Sequence, residues 1–164
     1  MKLSPMLLLP AMAFVLGCQA SAPARPGQPP DFLTSPQTAA LSLPFSEAVR
    51  AGDFLFLTGQ IGNVPGKLEL VPGGIGPEAS QALDNIKAIL ERHGSSMDAL
   101  VKCTVFLADI REWPAFNTVY RNYFPHHFPA RSALATNGLA LGARVEVECI
   151  AYAPPATPGT SGAH

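Results

Sequence analysis

The residues best suited to chemistry are one arginine and two glutamates in the last third of the chain. Arg131 follows the short segment Phe128-Pro129-Ala130, and Glu146 and Glu148 alternate with apolar residues further on. An arginine can bind a carboxylate through two parallel hydrogen bonds, and a glutamate can accept a proton from water. The pattern predicts either a site for a small carboxylate with a base beside it, or a structural ion pair between Arg131 and one of the glutamates.

The histidines and cysteines do not show the spacing of a metal site. His126 and His127 are adjacent without an evident third ligand, and the three cysteines form neither a CxxC pair nor a zinc-type pattern. We therefore predict no metal site. Cys103 and Cys149 lie in strand-like apolar runs. We expect them to be small buried hydrophobic residues, with a disulfide in an oxidising compartment as the alternative.

The elements that must position these residues follow an α+β pattern. One helix is predicted from Gly76 to Gly94 with a single apolar face, and a second from about Pro114 to Pro125 with an aromatic stripe that we expect in the core. Two such helices should cover one face of a mixed sheet in a single domain. The other face carries polar residues, so we expect a subunit interface there. The predicted strands are residues 54–57, which we expect to be buried, 101–107, 131–135 and 144–152.

The two ends of the chain differ in composition from its middle. Residues 1–17 combine a positive start with an apolar run that is too short to span a bilayer, as in a signal peptide. The run ends in Val15-Leu16-Gly17-Cys18, which resembles the lipobox of bacterial lipoproteins, so Cys18 is the expected lipidation site. An ordinary secretory signal is the alternative. The remaining predicted segments are a Pro/Ala-rich tether at 18–31, the folded domain at 32–153 and a disordered tail at 154–164.

Charge and length restrict the function. The net charge is −1, with 11 basic and 12 acidic residues, so the sequence lacks the electrostatic footprint of a nucleic-acid-binding protein. Its 164 residues suffice for one compact domain. The lipobox predicts a lipid anchor in the cell envelope, in the periplasm or at the outer membrane of a Gram-negative cell.

Several blocks of the chain together resemble the RidA/YjgF family. They occur in the family's order and cover nearly the whole predicted domain. The resemblance implies a chorismate-mutase-like α+β fold, a homotrimer, and one site in each cleft between subunits. It also implies hydrolysis of small 2-imino acids, or of their enamine tautomers, to 2-keto acids and ammonia with no cofactor. The blocks are residues 58–61, 82–86, 101–109, 116–120, 128–132 and 145–151.

The same resemblance implies roles for individual residues. Arg131 is expected to bind the substrate carboxylate and Glu146 to deprotonate the attacking water, with Glu148 as an interface acid. The substrate-binding residues implied by the family's motifs are Thr58, Gly59, Asn117, Ala133 and Phe45.

Two of these positions depart from the family's pattern. Ala133 stands where archetypal members often have a cysteine, so a thiol function is lost although the main-chain groups remain. Phe45 stands in place of a tyrosine, so a hydroxyl near the substrate is missing. We expect an altered substrate side chain or a lower rate.

Two other functions compete with the deaminase. A trimer with the same cleft would also serve as a non-catalytic binder of small carboxylates or keto acids, and many relatives have no assigned substrate. Ribonuclease or translation-inhibitor activity has been attributed to some relatives. The acidic charge balance and the export signal argue against a nucleic-acid partner here.

Overall fold

One mixed β-sheet organises the protein, whose computed structural model describes residues 29–154. The strand order is β1-β2-β3-β7-β5-β6, with β4 paired to β7 off this path. Within the described residues, β5 and β6 are the one parallel pair. The strands are β1 (Asp31–Leu33), β2 (Ala48–Ala51), β3 (Phe54–Leu57), β4 (Gln60–Ile61), β5 (Leu100–Leu107), β6 (Ala130–Ala135) and β7 (Val145–Tyr152). The α-helices are α1 (Pro36–Ala40), α2 (Ile75–Arg92) and α3 (Trp113–Tyr120).

The two longer helices pack on one face of the sheet. Leu83 and Ile86 of α2 are buried, and so are Phe116 and Tyr120 of α3. These side chains join strand residues such as Val105 in one hydrophobic core. The apolar stripes read from the sequence are the surfaces that make this contact. The predicted α+β fold with two helices on one sheet face is confirmed.

The helix limits follow from proline and glycine chemistry. In α2, Pro77 and Glu78 lie in the first turn, and Gly94 just beyond the helix has a φ of 75° that few other residues tolerate. The second helix is shorter than predicted: α3 ends at Tyr120 and continues as the 3₁₀ turn Arg121–Tyr123. Pro125 explains the difference, because proline disfavours helical geometry at the residue before it.

Neither of the two longer helices in the described part of the chain packs on the other face of the sheet. On β3, Leu55 and Leu57 are buried, but Phe54 and Phe56 are 40% and 45% exposed. The prediction that this strand is buried is therefore wrong for one of its two faces in a single chain. We call this surface the open face. Besides Phe54 and Phe56, its exposed apolar side chains include Leu134 and Tyr152. Its polar side chains include Lys102, Thr104, Ser132, Glu146 and Glu148.

Cys103 and Cys149 form a disulfide within the core. They lie opposite each other on the antiparallel strands β5 and β7, with 4.1 Å between their Cα atoms. Both are buried, as expected, but they are bonded and are not the separate hydrophobic residues that we favoured. The register of β5 against β7 decides which residues face each other, and the sequence does not display that register.

Several predictions concern segments outside the described residues. These are the signal peptide at 1–17, the lipidation site Cys18, and most of the tether at 18–31 and of the tail at 154–164. Between residues 29 and 154, no helix has the length and apolar character needed to span a bilayer.

Candidate active site

Arg131 lies on β6 at one edge of the sheet, with its side chain on the helix-covered face. Its Nη2 donates a hydrogen bond of 2.7 Å to Oδ1 of Asn117 on α3. Its Cζ lies 4.5 Å from the ring centroid of Tyr120 and 5.7 Å from that of Phe116. These contacts hold the guanidinium in the wall of a cleft of about 310 Å³ that we call the arginine cleft. The structure therefore brings together two predicted site residues, Arg131 and Asn117.

The ion pair that the sequence left open for Arg131 is not formed within the described chain. Arg131 is in register with Cys103, whose side chain is in the core, whereas Glu146 and Glu148 lie on the open face. An arginine has five N–H donors, and the hydrogen bond to Asn117 uses one guanidinium nitrogen. The remaining donors suit a carboxylate that comes from outside the chain.

Glu146 lies at a second, larger cleft of about 750 Å³ that we call the glutamate cleft. Thr58, Gly59 and Phe45 line the same cleft, so four predicted site residues meet here. A Cβ atom added to Gly59 would lie only 1.9 Å from Oε1 of Glu146. A side chain at position 59 would therefore displace the carboxylate of Glu146.

The pKa of the Glu146 carboxyl is raised above its usual range. The main cause is burial, which disfavours the charged form, and the negative charge of Glu148 adds to it. A carboxylate with a raised pKa is a better base toward water near neutral pH. Strand alternation does not separate the two glutamates, but the structure does, because Glu148 is exposed and Glu146 is half-buried against Gly59.

The two positions that depart from the family's pattern, Phe45 and Ala133, have different outcomes. Phe45 is 49% exposed and forms an apolar part of the glutamate cleft. Ala133 follows Arg131 by two residues on the helix-covered face and packs against the hydrophobic core. It is absent from the lining of both clefts in the described structure, so its predicted substrate contact is not seen there.

The two halves of the candidate site lie on opposite faces of the sheet in one chain. The carboxylate-binding half, Arg131 with Asn117, is on the helix-covered side of the edge strand β6. The proposed base, Glu146, is on the open face, where it is in register with Phe106 of β5. One small molecule held by Arg131 is therefore out of reach of Glu146 in the same chain.

Tyr120 contributes to the arginine cleft in a way that the sequence did not reveal. The aromatic stripe indicated a core residue, and Tyr120 is indeed only 3% exposed. Its ring nevertheless lines the cleft, and its hydroxyl has no hydrogen-bond partner within residues 29–154. Burial raises the pKa of Tyr120 to about 12, although the nearby charge of Arg131 opposes the shift. A helical pattern does not distinguish a core ring from one that also supports a cation.

A buried ionic cluster in the wall of the glutamate cleft was also not predicted. Glu47 accepts hydrogen bonds from Arg92 at 2.7 Å and from Thr38 at 2.9 Å, and its Oε1 lies 2.8 Å from Nε2 of His93. Burial by itself would raise the pKa of Glu47, but hydrogen bonds with His93, Ser35, Arg92 and Thr38 lower it to about 2. The partners lie up to 46 positions apart, so no local motif reveals them.

His126 and His127 are absent from the lining of both clefts in the described structure. His127 Nε2 lies 3.0 Å from the main-chain oxygen of Asp98, and His126 is exposed beside it. In the part of the chain that the structure describes, no three His, Cys, Asp or Glu side chains are grouped so as to hold a metal ion.

Comparison with known proteins gives matches over most of the domain. Residues 36–153 match the family model described as endoribonuclease L-PSP. The chain is 46% identical over 114 residues to the 2-iminobutanoate/2-iminopropanoate deaminase of Capra hircus, covering 70% of this chain and 83% of the relative. The identity to the Homo sapiens protein of the same name is 41% over 114 residues, with the same coverage.

Solved structures agree with the sequence matches. RidA from the Antarctic bacterium Psychrobacter has a TM-score of 0.64 and 35% identity, covering 67% of this chain and 89% of that one. Escherichia coli TdcF with bound serine has a TM-score of 0.63 and 30% identity, covering 67% and 88%. The match at residues 36–153 spans strands β2 to β7 and both longer helices, and the chain belongs to the RidA/YjgF family, whose family model is described as endoribonuclease L-PSP.

Proposed function

We propose that the protein hydrolyses small 2-imino acids, or their enamine tautomers, to 2-keto acids and ammonia. Relatives at 41–46% identity are named 2-iminobutanoate/2-iminopropanoate deaminase. The observation that carries the proposal is the environment of Arg131. Asn117 and Tyr120 fix its guanidinium in a cleft, and several of its N–H groups remain available to a ligand. A 2-imino acid offers the matching carboxylate beside an electrophilic C=N carbon.

The chain's own groups suffice for the hydrolysis. Arg131 binds the carboxylate, and the Glu146 carboxylate takes a proton from water as the water oxygen adds to the imine carbon. Glu146 passes this proton to the imine nitrogen, which gives a carbinolamine. Glu146 then transfers the carbinolamine hydroxyl proton to the amino group, so the C–N bond breaks, the C=O bond of the 2-keto acid forms and ammonia leaves. Thr58 lines the same cleft as Glu146, and its hydroxyl is the group to which we assign the orientation of the water.

The site is complete only when two copies meet. Because Arg131 and Glu146 lie on opposite faces of one chain, each active site takes its carboxylate-binding half from one copy and its base from a neighbour. The exposed apolar residues of the open face, Phe54, Phe56 and Leu134, supply a surface for this contact. We propose a homotrimer with three such sites, as the family resemblance implies.

Mixing two inactive variants tests both the residues and the assembly. Arg131→Ala and Glu146→Gln should each lose 2-keto acid formation from imines made in situ by an amino-acid oxidase. Unfolded together and refolded, they should regain about one quarter of wild-type activity, because one interface in four then pairs an intact Arg131 with an intact Glu146. Each variant refolded alone is the control. A mixture as inactive as its components would contradict the shared site.

The same assay separates catalysis from simple binding. If the wild-type protein binds 2-ketobutanoate but never exceeds the spontaneous rate of imine hydrolysis, it is a trimeric binder of small carboxylates. The apolar Phe45 in the glutamate cleft is the feature that favours this second candidate, because it removes a hydroxyl from the site. The ribonuclease activity in the family model's description is not proposed here, since the chain has 11 basic against 12 acidic residues.

We also propose that the protein is exported and anchored in the cell envelope through lipid on Cys18. The support is the signal-like segment at 1–17 with its lipobox, together with the disulfide between Cys103 and Cys149, a bond typical of oxidising compartments. Cys18→Ser should move the protein from the membrane to the soluble fraction of the producing bacterium. Cys103→Ser, which leaves the lipobox intact, is the control. An unchanged membrane fraction for Cys18→Ser would rule out this anchor.

A further inference from the structure

We propose that Tyr120 is a positioning residue, whose ring holds the guanidinium of Arg131 in the orientation that binds the substrate carboxylate. The inference rests on the proposed function, because it gives Tyr120 a part in substrate affinity. The Cζ of Arg131 lies 4.5 Å from the ring centroid of Tyr120, closer than the 5.7 Å that separates it from the ring of Phe116. Tyr120 is therefore the main aromatic support of the cation.

The contact leaves the binding groups of Arg131 available. A cation over an aromatic ring is attracted by the negative potential of the ring face, and this attraction consumes no N–H donor. Asn117 takes a hydrogen bond from one guanidinium nitrogen. The ring and the amide together fix the position of the guanidinium, while the other donors remain free for the carboxylate.

Tyr120 itself is held rigidly. Its ring centroid lies 5.4 Å from that of Phe116 and 4.6 Å from that of Phe124, and the ring of Phe128 is stacked at 6.4 Å. A long side chain on an edge strand normally loses rotamer freedom when it binds a ligand, which weakens binding. Here the Arg131 side chain has already lost that freedom on folding. Removal of the aromatic contact should therefore weaken substrate binding.

The ring carries this role, and the hydroxyl does not. The Tyr120 hydroxyl is fully buried and has no partner in the described structure, so a molecule in the cleft does not reach it. Burial raises its pKa to about 12, so it stays protonated and neither gives nor takes a proton near neutral pH. Phenylalanine should therefore replace tyrosine at this position, whereas an aliphatic residue should not.

Three variants of the full chain test the inference. Tyr120→Leu removes the ring and Tyr120→Phe keeps it. The control Tyr123→Leu removes another aromatic ring, whose hydroxyl donates hydrogen bonds to Ser80 and Asp84 of α2. The readouts are the Kd of 2-ketobutanoate by calorimetry and the KM and kcat for the imine. We expect Tyr120→Leu to raise Kd and KM about tenfold with a smaller effect on kcat. Tyr120→Phe and Tyr123→Leu should keep the wild-type Kd.

A second measurement does not depend on activity. The Arg131 side-chain Nε–H resonance should be shifted by the ring current of Tyr120, retained in Tyr120→Phe and lost in Tyr120→Leu. If Tyr120→Phe weakens binding as much as Tyr120→Leu, or if neither weakens it, the inference is overturned. A wild-type protein that binds 2-ketobutanoate without hydrolysing imines would refute the deaminase alone. A wild-type protein that does not bind the keto acid would refute the carboxylate clamp and this inference with it.

Discussion

At the residue scale, the two charged groups of the candidate site are tuned by different neighbours. Glu146 is affected by burial and by the charge of Glu148, which both favour its protonated form. Arg131 is oriented by Asn117 and aromatic rings, and no carboxylate of residues 29–154 pairs with it. Each group is therefore ready for one part of the reaction, the first for proton transfer and the second for binding an anion.

The pH dependence of the rate should report the pKa of Glu146. A base acts only when deprotonated, so kcat/KM should fall as the pH falls through this raised pKa. Glu148→Gln removes a negative charge, which should lower the pKa of Glu146 and move the acid limb of the profile to lower pH. Glu91→Gln, a charge change on α2, is the control. An acid limb that does not move in Glu148→Gln would contradict the assignment.

Gly59 should be intolerant of even one methyl group. Gly59→Ala places a Cβ where Oε1 of Glu146 now lies, so the carboxylate must move. We expect kcat to fall roughly 100-fold, a typical effect of displacing a catalytic group by about an ångström. Gly76→Ala is a matched control, because a Cβ there meets nothing within 4 Å. Full activity in Gly59→Ala, measured as imine hydrolysis, would exclude Glu146 as the base in its present position.

At the scale of the elements, the sequence was informative where a hydrophobic repeat extends over many residues. The 18 residues of α2 and the eight of β7 showed their buried faces, because burial imposes a repeat on both. The strands β1, β2 and β4 have only two to four residues, too few for a repeat to be recognised. The pairing of Cys103 with Cys149 and the cluster around Glu47 depend on contacts between distant segments, which no local pattern contains.

The disulfide should stabilise the sheet. It joins β5 to β7 across 46 positions of sequence and restricts the unfolded chain. We expect the double variant Cys103→Ala/Cys149→Ala to lose about 2–4 kcal/mol of unfolding free energy, measured by denaturant titration. Reductant should lower the stability of the wild-type protein and leave that of the double variant unchanged. Equal stabilities under oxidising conditions would show that the bond contributes nothing.

The buried carboxylate of Glu47 should make stability depend on acid pH. Its pKa is about 2 in the folded chain, against an ordinary value of 4.5. At a pH between these two values, the unfolded chain therefore binds more protons than the folded chain. This stabilisation is complete above about pH 4.5 and is lost as the pH falls toward 2. Glu47→Gln should cost about 1–3 kcal/mol at neutral pH and should flatten this acid decline in unfolding experiments. If the stability of Glu47→Gln fell as steeply with acid as that of the wild type, other groups would be responsible for the decline.

At the scale of the whole molecule, the candidate residues could be named from the sequence, but their division between two faces could not. Alternation along β6 and β7 separates the faces of each strand, yet only the register with β5 shows that Arg131 and Glu146 lie on opposite sides. The incompleteness of the site in one chain is therefore visible only in the folded structure.

Assembly should fail when the open face becomes charged. Phe56→Glu places a carboxylate among exposed apolar side chains, where burial against another copy would be costly. We expect this variant to sediment as a single chain, to keep a wild-type circular dichroism spectrum and to lose imine hydrolysis. Ile110→Glu changes an apolar residue of similar exposure that lies off the sheet, and should still assemble. An active, assembled Phe56→Glu would place the interface elsewhere.

Because Arg131 and Glu146 lie on opposite faces, activity per chain should depend on the concentration of the protein. A single copy carries both groups but cannot bring both to the same substrate molecule. Turnover should therefore vanish when the protein is diluted below the dissociation constant of the assembly. Confinement of the chains to a membrane surface by a lipid would counter that loss by raising their local concentration. Activity per chain would then depend on how densely the chains are held.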